Sequence, residues 1–308
     1  MRCRLAHELL EFGRTIRFFH TLFALPFALG AAFLAEPPCP RPWALALLVA
    51  CMVTARTAAM GMNRVADARL DARNPRTAEW PIPAGRLRRG TALALALVSG
   101  GVFLACAWGF WFLSGNLWPG LLAPGFLALL LFYPYTKRFT VLSHWILGAC
   151  LGLAPVGAWI ALRGSLVWTP LVLGLAVVFW TAGFDILYAI RDIAFDRREG
   201  LRSVPARFGR ATALRTALEC HVLAWLLLGG VIGMDVFEKV LMSDGEVRAG
   251  VLGRWSSWAL GLVAILILIQ HLAVRRARGD GVTAAVFHLN ALVGIVWMAG
   301  VILDSGLG

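Results

Sequence analysis

The chain has 308 residues, of which 59% are hydrophobic and only 15% charged, with a formal net charge of +12. Soluble domains carry about 25% charged residues, so this composition excludes an ordinary soluble globular domain and points to a protein of the bilayer. The excess positive charge excludes little by itself, but the basic residues flank apolar runs, which argues against a nucleic-acid-binding role.

Taken in chain order, the hydropathy pattern predicts nine membrane spans, at about residues 18–35, 43–62, 91–112, 118–135, 141–161, 166–187, 212–234, 255–274 and 282–303. The stretch from Gly90 to Thr136 holds no Asp, Glu, Lys or Arg, which is enough for two spans broken at SGNLWPG. The second and seventh spans are the least apolar, because Arg56 and Arg215 intrude on them. The N-terminal MRCRLAHELLEFGRTIRFF lacks the apolar run and cleavage site of a signal peptide. With no Ser-rich or charged linker, the whole of residues 1–308 reads as one all-α integral membrane domain.

Basic residues fall unevenly on the two sides. One face receives Arg2, Arg4, Arg14 and Arg17, seven Arg between 63 and 90, Lys137 and Arg138, six Arg between 191 and 210, and Arg275, Arg276 and Arg278. These make 22 of the 29 basic residues; Arg41, Arg163, Lys239, Arg248 and Arg254 fall on the other face. The positive-inside bias makes the Arg-rich face cytoplasmic and places the chain in a bacterial-type inner membrane. The six cysteines, Cys3, Cys39, Cys51, Cys106, Cys150 and Cys220, are dispersed with no metal spacing, and read as small apolar residues of membrane helices.

The second span runs into NRVADARLDARNPRTAEWPIP, Asn63 to Pro83. Asn63, Asp67 and Asp71 are spaced i, i+4, i+8, so at about 100° per residue they fall at roughly 0°, 40° and 80° on one helical stripe. The sixth span ends in FDILYAIRDIAFDRREGLRSVPARFG, Phe184 to Gly209. There Asp185, Tyr188, Asp192 and Asp196 fall at roughly 0°, −60°, −20° and +20°, again one stripe. Each stripe alone matches a solvated helix end, but two in matching register on the same side of the membrane point to a shared site.

Carboxylates at helical neighbour spacing repel, and ionisable groups near the bilayer are costly. A divalent cation offsets both costs. Oxygen donors without Cys or His select a hard ion, Mg²⁺ over zinc, and Mg²⁺ favours one or two carboxylates plus substrate phosphate oxygens. Two facing stripes therefore suit a clamp for a diphosphate. Lys137, Arg138, Arg76 and Arg202 sit where basic groups would supplement the metals. Arg56 lies one turn inside the membrane on the face of Asn63; it either pairs with Asp67 or Asp185 or binds a substrate carboxylate.

These residues resemble the UbiA-type intramembrane aromatic prenyltransferases over nearly the whole chain. FFHTLFALPFALGAAF is similar to that family's first span, RTAAMGMNRVADARLDARNPRT to its first Asp-rich motif, YPYTKRFT to its Tyr-Pro-x-x-Lys-Arg segment, and the Phe184–Gly209 stretch to its second motif. The subgroup it most resembles is the 4-hydroxybenzoate polyprenyltransferases, which includes menaquinone enzymes of the futalosine route that act on a dihydroxynaphthoate. The haem- and chlorophyll-type enzymes of the same family are the alternative within it. A transporter or lipid-binding membrane protein is the alternative of another class.

The resemblance implies nine helices around a central cavity under a cytoplasmic cap, and transfer of a polyprenyl group from a polyprenyl diphosphate to an aromatic hydroxy acid in ubiquinone or menaquinone biosynthesis. It implies that Asn63, Asp67, Asp71, Asp192 and Asp196 hold Mg²⁺ and diphosphate. Lys137, Arg138 and Arg202 then touch the diphosphate, and Arg56 meets the acceptor carboxylate. For the transfer step itself, the expectation is that Asp185 or Asp192 holds or deprotonates the phenol and that Tyr188 orients one of them. The partners are these two substrates and membrane lipid, with no nucleic acid. The chain departs from the family at Trp80, where relatives often carry an Arg, and at Arg202, where they often carry His or Lys.

Overall fold

The computed structural model describes residues 2–16, 23–241, 251–276 and 281–307, with side chains described for 6–16, 23–235, 251–276 and 288–307. Arg2, Arg4, Arg17, Lys239, Arg248 and Arg278 of the charge pattern lie outside those side chains, as does Cys3; the other five cysteines are free thiols.

All regular elements among the described residues are helical. They are α1 (Arg2–Ile16), α2 (Leu25–Ala35), α3 (Pro42–Arg73), α4 (Arg89–Ser114), α5 (Trp118–Phe132), α6 (Ser143–Arg163), α7 (Trp168–Ala189), α8 (Ile193–Arg198), α9 (Val204–Leu241), α10 (Arg254–Arg276) and α11 (Gly281–Leu307). Short 3-10 turns, Tyr133–Arg138 and Ile190–Asp192, extend α5 and α7. Eight of these helical stretches are long and apolar enough to cross a membrane. They match eight of the nine expected spans, and the chain is an all-α integral membrane protein. The first expected span is described only from residue 23 onward. Its helix α2 has 11 residues, a rise of roughly 16 Å against a hydrocarbon core of about 30 Å.

Two boundaries differ from the hydropathy reading in ways that matter. Helix α3 continues to Arg73, well past the expected end near 62. Nothing in the polar stretch breaks a helix until Asn74 and Pro75, so the helix leaves the apolar zone and carries Asp67 and Asp71 rigidly on its end. The seventh span starts earlier than expected, at Val204, and turns at Gly209, whose φ of 84° and ψ of 172° interrupt the helix. A side chain at that φ would be strained, which accounts for glycine at the bend.

Neighbouring helices pack in chain order from α3 onward, and α11 closes back onto α2. Helix α7 sits between α6 and α9 at the centre of the main apolar core, around Trp180, Phe184, Ile186 and Leu187. The approach of α6 to α7 is unusually close: a Cβ on Gly148 would stand 2.4 Å from the carbonyl oxygen of Val178, and one on Gly152 2.5 Å from that of Gly174. Only glycine allows the backbones to meet there, as in other membrane helix pairs.

The outer surface is apolar, and exposed Trp111, Trp118, Trp168 and Trp258 all lie at the helix ends opposite the Arg-rich end. Such aromatic residues mark a membrane–water interface. At that end Asp304 of α11 accepts the backbone N–H groups of Gly253, Trp255 and Ser256 at 2.8–3.1 Å, satisfying the first turn of α10. At the Arg-rich end α1 docks through buried carboxylates. Glu8 accepts from Arg88 at 2.7 Å and Thr91 at 2.6 Å, and Glu11 accepts from Arg86 at 3.1 Å and Arg14.

Candidate active site

A cavity of about 240 Å³ opens at the Arg-rich end, walled by the ends of α3, α6 and α7, the two 3-10 turns and the 196–203 segment. Asn63, Asp67, Asp71, Asp185, Tyr188, Asp192 and Asp196 all line it, together with Arg76 and Lys137. The fold thus brings together two stripes that lie more than a hundred residues apart in the chain.

The first stripe is as the spacing implies, on one face of continuous α3. Asp67, buried to 3% exposure, accepts from Lys137 Nζ and from an Arg138 Nη at 3.0 Å. The turn after α3 explains the position of Arg76. Asn74 Oδ1 accepts the backbone N–H of Arg76, and Thr77 Oγ1 donates to the carbonyl of Asp71, so Asn74–Thr77 folds back over the helix end. Arg76 then reaches Asp192 with two hydrogen bonds, at 3.2 and 3.0 Å. Trp80 lines the same cavity. Its ring lies 4.0 Å from the Arg64 guanidinium and 5.7 Å from that of Arg76, so a Trp here supports two arginines where an additional Arg was expected.

The second stripe is not one helical face. Helix α7 ends at Ala189, the chain tightens through Ile190–Asp192, and α8 begins at Ile193. The break re-aims Asp192 and Asp196 relative to Asp185, so these carboxylates converge by tertiary folding and not by a 3.6-residue period. Asp196 accepts from the Ser203 hydroxyl at 2.7 Å, and Ser203 Oγ in turn accepts the N–H of Ala206 in the first turn of α9. Tyr188 orients neither Asp185 nor Asp192 directly; its ring stacks under the Arg191 guanidinium at 3.5 Å.

Two expected diphosphate contacts are placed elsewhere. Arg202 does not line the cavity: its guanidinium donates to the carbonyl of Phe139 at 2.7 Å and its backbone N–H to that of Lys137 at 2.7 Å. It therefore fastens the YPYTKRFT turn. Arg138 also points away from the cavity and donates to the carbonyls of Pro134 and Ala66 as well as to Asp67, buttressing that carboxylate from behind. Arg56 pairs with neither Asp67 nor Asp185, because Lys137 and Arg138 take the first and His144 the second. Its Nη2 is buried without a hydrogen-bond partner.

Sequence reasoning passed over four residues of the site. Tyr133 accepts from Asn63 Nδ2 at 3.0 Å, Ser203 holds Asp196, Arg64 lies 3.5 Å from Asp71, and His144 Nδ1 lies 2.6 Å from Asp185 Oδ2. The Ser203 position was legible as a helix N-cap, with Pro205 in the first turn after it. The others carry no local signal.

Five carboxylates and the Asn63 amide line one cavity, and Asp71 Oδ2 is buried with no hydrogen-bond partner. Yet no three His, Cys, Asp or Glu residues among the described residues converge tightly enough to chelate one ion. Each carboxylate is held by its own basic or hydroxyl partner, which keeps them apart. The residues fit a hard divalent ion that takes one or two carboxylates and completes its shell with water or phosphate oxygens.

A second cavity, of about 370 Å³, lies deeper along α3 and α6, walled by Leu48, Met52, Phe103, Phe110, Phe126 and Val156 among others. Its lining residues carry no ionised group, which suits an apolar occupant.

Comparison with known proteins agrees with this architecture. The UbiA prenyltransferase family model matches residues 24–292. A 4-hydroxybenzoate octaprenyltransferase of Pectobacterium carotovorum subsp. carotovorum is 32% identical over 247 residues, 79% of this chain and 82% of that protein. One of Serratia proteamaculans is 30% identical over 295 residues, 94% and 92% of the two chains. Among solved structures, the apo structure of a UbiA homolog from Aeropyrum pernix superposes with a TM-score of 0.78 at 33% identity, covering 92% of this chain and 98% of that one. A UbiA homolog from Archaeoglobus fulgidus, bound to DMAPP and Mg²⁺, shares the fold with a TM-score of 0.66 at 19% identity. On the family match and these relatives, the chain belongs to the UbiA prenyltransferase family.

Proposed function

We propose that this enzyme transfers a polyprenyl group from a polyprenyl diphosphate to an aromatic hydroxy acid, 4-hydroxybenzoate or 1,4-dihydroxy-6-naphthoate, in quinone biosynthesis. The Arg-rich face with the site looks into the cytoplasm of a bacterial inner membrane. The observation that carries this reading is the juxtaposition of an acidic and basic cavity at the membrane surface with an apolar cavity deeper along the shared helices α3 and α6. The activity of the relatives, 4-hydroxybenzoate octaprenyltransferases by name, supports the aromatic acid and the long prenyl chain.

Asn63, Asp67, Asp71, Asp192 and Asp196 would hold Mg²⁺ on the diphosphate. When bound, the metal neutralises the diphosphate charge and makes it a better leaving group. Lys137 and Arg76, which pair with Asp67 and Asp192, would be the basic groups at hand for the diphosphate oxygens. The allylic C–O bond breaks and its electron pair leaves with the diphosphate. An electron-rich ring carbon of the acceptor supplies the pair for the new C–C bond. The same ring carbon then loses its proton, and the C–H pair restores the aromatic ring. Arg56, whose Nη2 is buried without a hydrogen-bond partner, is the counter-charge for the acceptor carboxylate, and Asp185 is the carboxylate that receives the acceptor's proton. The apolar cavity takes the prenyl tail and keeps water from the allylic cation.

Purified protein in detergent, given octaprenyl diphosphate, Mg²⁺ and each acceptor in turn, tests this by mass spectrometry of the products. A prenylated product from one acceptor assigns the substrate. Absence of product with both overturns the reading.

A further inference from the structure

His144 stands in the first turn of α6, and its side chain is 4% exposed against 29% for Asp185. Its Nε2 accepts the backbone N–H of Val204 at 3.3 Å. That contact fixes the tautomer, since the nitrogen that accepts carries no hydrogen. The ring hydrogen therefore sits on Nδ1 and is donated to Asp185 Oδ2 at 2.6 Å. Val204 is the first residue of α9, so one imidazole joins α6, α7 and α9. The close backbone contact at Gly148, one turn along α6, holds α6 near enough to α7 for His144 to reach Asp185.

Asp185 differs from the other carboxylates of the cavity. Asp67 faces Lys137 and Arg138, Asp71 faces Arg64, Asp192 faces Arg76 and Arg191, and Asp196 accepts from Ser203 while serving the metal in the reading above. A permanent cation beside a carboxylate suppresses its basicity, whereas a neutral N–H donor orients it at lower cost to proton affinity. We propose that His144 is a positioning residue for prenyl transfer: it occupies one oxygen of Asp185 and so presents the other to the cavity, where it receives the proton lost by the acceptor. The inference rests on the reading that Asp185 serves as that base.

Four variants test it in the detergent assay with octaprenyl diphosphate, Mg²⁺ and both acceptors: His144→Leu, His144→Gln, Asp185→Asn and the double variant His144→Leu/Asp185→Asn. Misplacing a reacting group by about 1 Å costs on the order of a hundredfold in rate. His144→Leu is therefore expected to lower kcat about 10- to 100-fold with the donor KM within about twofold of the parent. His144→Gln, whose amide has both a donor and an acceptor, is expected to recover most of the lost kcat. In the Asp185→Asn background, His144→Leu should have no further effect, because the two residues act as one unit. Parent-like kcat in His144→Leu, or an equal loss in both backgrounds, overturns the positioning role. Full activity in Asp185→Asn instead overturns the base assignment. If His144→Leu does not fold, His144→Gln decides: near-parent kcat supports the proposal, and a loss as large as that of Asp185→Asn overturns it.

Discussion

Arg76 and Asp192, 116 residues apart in the chain, face each other with Nε donating to Oδ1 at 3.2 Å and Nη2 to Oδ2 at 3.0 Å. This pair stitches the first acidic motif to the second across the cavity. It also places a guanidinium where a diphosphate bound between the two motifs would lie. Replacing Arg76 with Ala is expected to raise the donor KM about 10- to 100-fold, the loss of one charge-assisted contact of roughly 1.5–3 kcal/mol. Steady-state kinetics with octaprenyl diphosphate checks this; an unchanged donor KM refutes the contact.

The carboxylates should matter more than their partners. Asp67→Ala and Asp192→Ala are each expected to abolish Mg²⁺-dependent transfer while the protein still inserts into the membrane. EDTA should do the same to the parent, with Mg²⁺ restoring activity. Product formation beside a membrane-fractionation control separates lost chemistry from lost insertion. Full activity in either variant would sink the metal–diphosphate reading.

Arg56 has a buried Nη2 without a partner. Arg56→Met keeps much of the side-chain volume and removes the charge. It should raise the acceptor KM about 10- to 100-fold, the same range for a lost hydrogen bond to a charged group. The donor KM should stay constant. An acceptor analogue lacking the carboxylate should bind the parent and the variant alike. Equal losses for both acceptors would show that Arg56 serves the fold and not the substrate.

Gly148 has no room for a methyl group against the Val178 carbonyl. Gly148→Ala must push α6 from α7, at a cost of about 1–3 kcal/mol for overpacking. The expected result is a fall of several degrees in the unfolding temperature in detergent, with weakened catalysis because His144 and Asp185 sit on the separated helices. Gly101→Ala, with open space around its Cβ position and outside the lining of both cavities, is the control and should change neither.

Docking of α1 should depend on pH on the acid side. The hydrogen bond from Arg86, assisted by Arg14, holds the Glu11 carboxyl below its ordinary value of 4.5. A depressed carboxylate contributes stability that is fully present above the unfolded-state value and is lost as pH falls through the folded-state value. Arg88, raised by Glu8, loses nothing until far into the alkaline range. Limited proteolysis of the N-terminal segment should therefore accelerate below about pH 4.5 and stay flat from there to alkaline pH. The Glu11→Gln variant should be cleaved faster at neutral pH and lose part of that acid dependence.

The class of this protein, eight of its membrane spans and the two acidic motifs were determined by the sequence alone. Hydropathy over about 20 residues and the 3.6-residue period are local properties, and Asn63, Asp67 and Asp71 follow them on an unbroken α3. The tertiary structure decided which group faces which. Whether an arginine meets a diphosphate, a carbonyl or a carboxylate depends on what packs opposite it, and that neighbour is set by contacts between distant segments. Arg202 was therefore read as a ligand but fastens the turn at Phe139, and Arg138 buttresses Asp67 from behind. The second motif reads as one helical stripe but is bent by the 3-10 turn at Ile190–Asp192. His144 gives no periodic signal, because its importance comes from lying against Asp185, 41 residues later, where glycines let two helices touch.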